Sequence, residues 1–163
     1  ALGVEPTPIV RAQRLDNGPA WLTLQLDNAD TVLALEPDHA QLARLGQKVG
    51  VVGIHQAQGA LPLIARSSRE ARAFTAAAGR EAAPLIEVRA FAAPIGVTED
   101  PVTGSLNAGL AQWLIADGLA PACYVASQGT AMGRAGRVSI EQTGETIWVG
   151  GSAVTCISGY LSL

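Results

Sequence analysis

The segment Ser105-Leu106-Asn107-Ala108-Gly109-Leu110-Ala111-Gln112-Trp113-Leu114-Ile115-Ala116-Asp117 reads as one continuous helix. It carries no charge before Asp117, and on a helical projection its apolar residues cover nearly the whole circumference. A helix apolar all round has no side to give to water, so other elements must surround it. Gly118 stands where a left-handed residue would end it.

The segments on either side read mainly as strands. Residues 21–26 alternate apolar and polar side chains, the signature of a half-buried strand. Asp27-Asn28-Ala29-Asp30 reads as a turn and residues 31–35 as the return strand of a hairpin. Pro37-Asp38 opens a short helix running through Lys48. Residues 49–55 and 61–65 form a further strand pair about Gly59, and the alanine-rich residues 68–78 a surface helix with a serine cap, ended by Gly79. Residues 86–91 alternate again, and strands resume at 124–127, 137–140, 146–149 and 154–163. Many strands around one buried helix predict an α+β fold: a curved mixed sheet or barrel wrapped around residues 105–117.

Composition bounds what such a fold can do. A chain of 163 residues with 48% hydrophobic content supports one domain with one ordinary core. The formal net charge of -3 and the scatter of its eleven basic residues argue against a nucleic-acid partner. The longest chargeless stretch, 101–116, is too polar and too short to span a bilayer, and the first residues lack the basic start and apolar run of a secretory signal. The expectation is a cytosolic, cytoplasmic protein without a membrane partner. Cys123 and Cys156, far apart and outside any Cys-x-x-Cys spacing, read as buried free thiols. Two histidines and no clustered cysteine give no metal-ligand spacing, so no metal is expected.

The chemistry concentrates just before the helix. Thr103, Gly104 and Ser105 supply its first N–H groups, and glycine admits a ligand close to the backbone. A helix N-terminus carries roughly half a positive charge, which suits a carboxylate or phosphate. Asp100 on the entering loop places beside it the kind of group that general acid–base chemistry needs. Taken by itself, that aspartate reads more readily as a helix cap or the turn residue of Asp-Pro than as a catalytic group. Arg134 and Arg137 read as solvated, His55 as a satisfied structural residue, and Trp21, Trp113 and Trp148 as core or half-core.

Four linked segments carry a resemblance. Arg89-Ala90-Phe91-Ala92-Ala93-Pro94 with Gly96, then Glu99-Asp100-Pro101-Val102-Thr103-Gly104-Ser105, then Gln128-Gly129, then Gly133-Arg134-Ala135-Gly136 resemble the PhzF-like family of phenazine biosynthesis in order and spacing. Val149-Gly150-Gly151-Ser152-Ala153 and Gly159 match its closing strands, so the similarity covers most of the chain. The resemblance implies a fold related to diaminopimelate epimerase, with two pseudo-symmetric halves that each curl a sheet around a central helix. This chain corresponds to the C-terminal half, with residues 1–8 as a linker from a missing N-terminal half and 9–163 as the domain.

By the same resemblance Asp100 is the motif's catalytic aspartate, Gly104 and Ser105 bind substrate, and Thr103 supports them. The principal proton-shuttling glutamate belongs to the other half, and Glu99 does not replace it. Val102 and Leu106 stand where the family usually has alanine. Asp100 occupies the place of an epimerase cysteine, which disfavours two-thiol racemization, and no Gly-x-Gly-x-x-Gly follows a strand. The expected activity is cofactor-independent isomerization of a small carboxylate metabolite, with this chain inactive alone. The competing readings are a non-catalytic solitary or truncated domain that binds small anions, and a scaffold that homodimerises through the face the family buries against its other half.

Overall fold

Gly18, at φ +85°, lets the chain reverse between β1 (Ile9–Asp16) and β2 (Ala20–Leu26), with Asp16 opposite Ala20. The turn is Asn17-Gly18-Pro19, whose Asn-Gly pair is a strong hairpin signal that the reading of a later hairpin overlooked. The computed structural model describes residues 1–3, 8–56 and 82–162. The strand expected at 61–65 and the helix expected at 68–78 lie outside the described residues.

Residues 31–35 do not form the return strand. The side chain of Asn28 accepts a hydrogen bond from Thr31 N at 2.8 Å and starts α1 (Ala29–Leu33). Asp38 does the same for α2 (His39–Arg44) through Gln41 N at 2.9 Å. This helix stops short of Lys48 because Gly46 turns left-handed at φ +65°. The physical reason for the correction is topological: β2 pairs with β3 (Val49–Ile54) in parallel. A parallel neighbour needs a crossover rather than a hairpin, and the two short helices supply it.

Strand β3 pairs antiparallel with β4 (Ile86–Ala92). All seven residues of β4 are buried, which marks it as a strand covered on both faces. Ile86, Val88, Ala90 and Ala92 join one core cluster, whereas Phe91 packs with Val32, Leu35 and Leu42 in another. After a 3-10 turn, Ala93–Ile95, the short β5 (Val97–Asp100) folds back on β4. The chain then enters α3 (Gly104–Ala116) and returns as β6 (Cys123–Gln128), parallel to β4. Strands β7 (Gly136–Thr143) and β8 (Thr146–Gly150) complete an eight-stranded mixed sheet of order β1-β2-β3-β4-β6-β7-β8, with β5 beside β4.

The sheet curls until β1 and β8, at its two ends, both touch α3. The expected α+β fold of a curved sheet around one central helix is therefore observed as a half-barrel. Leu106, Leu110 and Leu114 of the helix are at most 1% exposed. Each contributes about 1.5–3 kcal/mol by leaving water. Gly104, Gln112 and Ala116 remain exposed and Ala108 half-buried, so one i,i+4 stripe lies outside the barrel. Gly118, at φ +69°, follows the Asp117 C-cap as expected.

Three other expectations fail. Residues 151–162 form no strand and are exposed throughout. Cys123 and Cys156 are free, but both are exposed rather than buried. Trp21 and Trp113 are core residues, whereas Trp148 on β8 is 65% exposed.

Candidate active site

The strand β5 determines where the motif begins. Its pairing sets Asp100 opposite Ala90 of β4, and Pro101 then ends the ladder, having no N–H to donate. Thr103 is extended at φ -121° and is the N-cap of α3, yet its side chain makes no capping hydrogen bond. Its Oγ1 donates instead to Asp100 Oδ2 at 2.8 Å. Asp100 Oδ1 accepts a long bond from Val102 N at 3.4 Å. The aspartate is thus both the turn residue and a half-buried carboxylate beside the helix start.

Gly104 and Ser105 open the helix. Gly104 is exposed, and a side chain built there would meet nothing within 4 Å, so nothing crowds its α-carbon. Ser105 is half-buried, and its Oγ accepts from Trp21 Nε1 at 3.3 Å. With one lone pair engaged by the indole, the serine hydroxyl keeps its own proton for an incoming acceptor. A donor-rich helix end, a serine hydroxyl and a fixed carboxylate therefore meet at the start of α3, an arrangement able to hold an anion next to a proton-transfer group.

A buried polar network ties these parts together. Gln128, the last residue of β6, is 0% exposed. Its Nε2 donates to Asp100 O at 2.8 Å and to Thr103 Oγ1 at 3.0 Å. Its Oε1 accepts from Thr103 N at 3.1 Å and from Asn107 Nδ2 at 2.8 Å. Asn107 Nδ2 also donates to Thr103 O at 2.9 Å. The Gly129 turn presses directly on the motif, since a Cβ there would lie 2.8 Å from Pro101 O.

The structure brings Asp100, Thr103, Gly104 and Ser105 together, and it adds Gln128, Asn107 and Trp21. Gln128-Gly129 belongs to the sequence motif, but the motif alone assigns it no role. The available signal was an asparagine inside an otherwise apolar buried helix, because such a group needs a buried partner. Glu99 points elsewhere: its carboxylate takes a bidentate pair from Arg89 at 2.8 and 2.9 Å. His55 lies 3.2 Å from Ser127 Oγ and 3.5 Å from Glu87 on β4, where Ser127 also donates to the buried Glu87 carboxylate. Arg134 is exposed and Arg137 half-buried.

The family model described as phenazine biosynthesis-like protein matches residues 2–159. Antisense-enhancing sequence 1 of Schizosaccharomyces pombe is 30% identical over 152 residues, covering 89% of this chain and 44% of that protein. An uncharacterized isomerase of Clostridium acetobutylicum is 26% identical over 151 residues, covering 86% and 43%. The chain thus spans less than half the length of these curated relatives.

Among solved structures, a Bacillus anthracis phenazine biosynthesis protein of the PhzF family matches with a TM-score of 0.59 at 14% identity, covering 91% of this chain and 48% of that one. A PhzF-family protein from Enterococcus faecalis gives 0.59 at 20% identity, covering 93% and 47%. These two likenesses show the shared fold.

Proposed function

Because this chain belongs to the phenazine biosynthesis-like protein family, we propose that it forms one half of an isomerase site that moves a proton on a small carboxylate metabolite without a cofactor. The observation that carries this reading is the Asp100 carboxylate, held by the Thr103 hydroxyl at 2.8 Å beside a helix start whose capping side chain is turned away. In this reading Gly104 and Ser105 bind the substrate anion through backbone N–H groups and the serine hydroxyl. Asp100 assists proton transfer at the adjacent carbon. A second half supplies the principal shuttling glutamate that the family resemblance implies.

Two measurements test this. In a two-half protein, Asp100→Asn lowers kcat by about a hundredfold or more while KM changes little, because a proton-transfer group acts mainly on the transition state. A change confined to KM would remove Asp100 from catalysis. In the isolated chain, titration with acetate or succinate shifts the backbone amide resonances of Gly104 and Ser105, while no carbon-bound proton of the added acid exchanges with deuterated water at enzymatic rates. Exchange by this chain alone would refute the half-site reading.

A further inference from the structure

We propose that Gln128 is a positioning residue that sets the direction of the hydrogen bond received by Asp100. This deepens the proposed function and rests on its reading of Asp100 as the proton-transfer group. The argument starts from the orientation of the Gln128 amide. Its Oε1 end faces Thr103 N at 3.1 Å, a backbone donor that cannot exchange roles. The same oxygen faces Asn107 Nδ2, whose other contact is the carbonyl oxygen of Thr103. With Oε1 held there, Nε2 must face Asp100 O and Thr103 Oγ1, and it donates to both.

That donation occupies a lone pair of the threonine hydroxyl, so the hydroxyl proton is free to point to its other neighbour, Asp100 Oδ2 at 2.8 Å. The relay runs in one direction: Gln128 Nε2 to Thr103 Oγ1 to Asp100 Oδ2. Asp100 therefore accepts on Oδ2 whether or not the carboxyl carries a proton. Its Oδ1 has only the long contact to Val102 N at 3.4 Å and is the oxygen left to exchange a proton with a substrate. The arrangement is seated from below by the β6–β7 turn. A Cβ on Gly136 would strike the Gln128 carbonyl and Val102, and one on Gly129 would strike Pro101. A fully buried amide spending all four contacts on one loop and one helix turn leaves the loop a single register.

Nuclear magnetic resonance of this chain tests the relay without any substrate. Gln128→Met preserves size and removes the donation, so the Asp100 carboxyl carbon resonance moves. Thr103→Val, which keeps shape and removes the hydroxyl, moves it as well, and the double variant moves it little farther because both act through one chain of bonds. Thr103→Ser returns it to the wild-type position. In a two-half protein, Gln128→Met lowers kcat about tenfold or more with KM changed by less than roughly threefold.

A merely structural glutamine gives the opposite pattern: lower stability with the Asp100 resonance in place. That result overturns the proposal. If Gln128→Met does not fold, Thr103→Val decides, and an unmoved Asp100 signal in that variant overturns it equally. Failure of the underlying reading is distinguishable, since full turnover by Asp100→Asn sinks the proposed function whatever the resonances do.

Discussion

Tyr124, on the helix-facing side of β6, is 9% exposed, and its phenol oxygen has no hydrogen-bond partner among the described residues. Burial pushes the phenol well above its ordinary range, because ionising it in the core would strand a charge there. The sign follows from linkage: the folded form holds the proton more tightly than the unfolded form. The neutral phenol's stabilisation is fully present below the unfolded pKa of about 10 and is lost as pH rises above it. Urea midpoints measured from pH 9 to pH 11 therefore fall in the wild type and fall less in Tyr124→Phe. At neutral pH the same variant is close to neutral in stability, since the hydroxyl it removes makes no bond. Equal alkaline slopes in the two proteins would show that Tyr124 is not the group responsible.

At the scale of elements, one ion pair joins three of them. Arg89 of β4 holds Glu99 of β5, and its Nη1 also donates to the carbonyls of Val32 at 3.3 Å and Leu35 at 2.8 Å, at the end of α1. The two side chains are 6% and 10% exposed, so the pair is nearly desolvated. Removing one partner leaves an uncompensated buried charge, and Arg89→Met costs about 3–5 kcal/mol in urea unfolding. Arg89→Met combined with Glu99→Leu recovers much of that loss, because no charge is then left unpaired. A single-variant cost below about 1 kcal/mol would mean that water reaches Glu99. Since β5 ends at Asp100, this pair also anchors the strand that delivers the candidate catalytic carboxylate.

On the scale of the whole molecule, apolar side chains remain in water where a partner would be expected. Ile95, Val97 and Val102, between β4 and α3, and Met132, between β6 and β7, are exposed, as is Trp148 on the last strand. Beyond Gly150 the chain exposes Val154, Ile157, Tyr160 and Leu161 at 83% or more. Exposed apolar surface on this scale is uncommon on monomers. The isolated chain is therefore expected to self-associate, most simply as a twofold dimer, which light scattering at micromolar concentration detects. A mass that stays monomeric over a hundredfold range of concentration would contradict it. Two chains paired in this way would present two copies of Asp100 and no second-half glutamate, so anion binding is expected to survive and turnover to stay absent.

The buried helix was legible from residues 105–117 because a stretch apolar all round admits only a surrounded position, and local composition states that directly. The strands at 21–26, 86–91, 124–127, 137–140 and 146–149 were legible for the same reason, since their periodicity is a local property. The motif around Asp100 was readable as residue types in order. Tertiary structure alone decided what depended on distant partners. Residues 31–33 became helical because β2 found a parallel neighbour. Residues 154–162 have the composition of a strand, yet a strand needs an edge to bond to, and they pair with none of the described residues. Gln128 lies 25 residues from Thr103 in sequence and reaches it only because β6 runs parallel to β4 and ends at the start of α3. Local sequence determines which conformation a segment favours, whereas the closing of non-local hydrogen bonds determines which of those preferences is realised and which side chains meet.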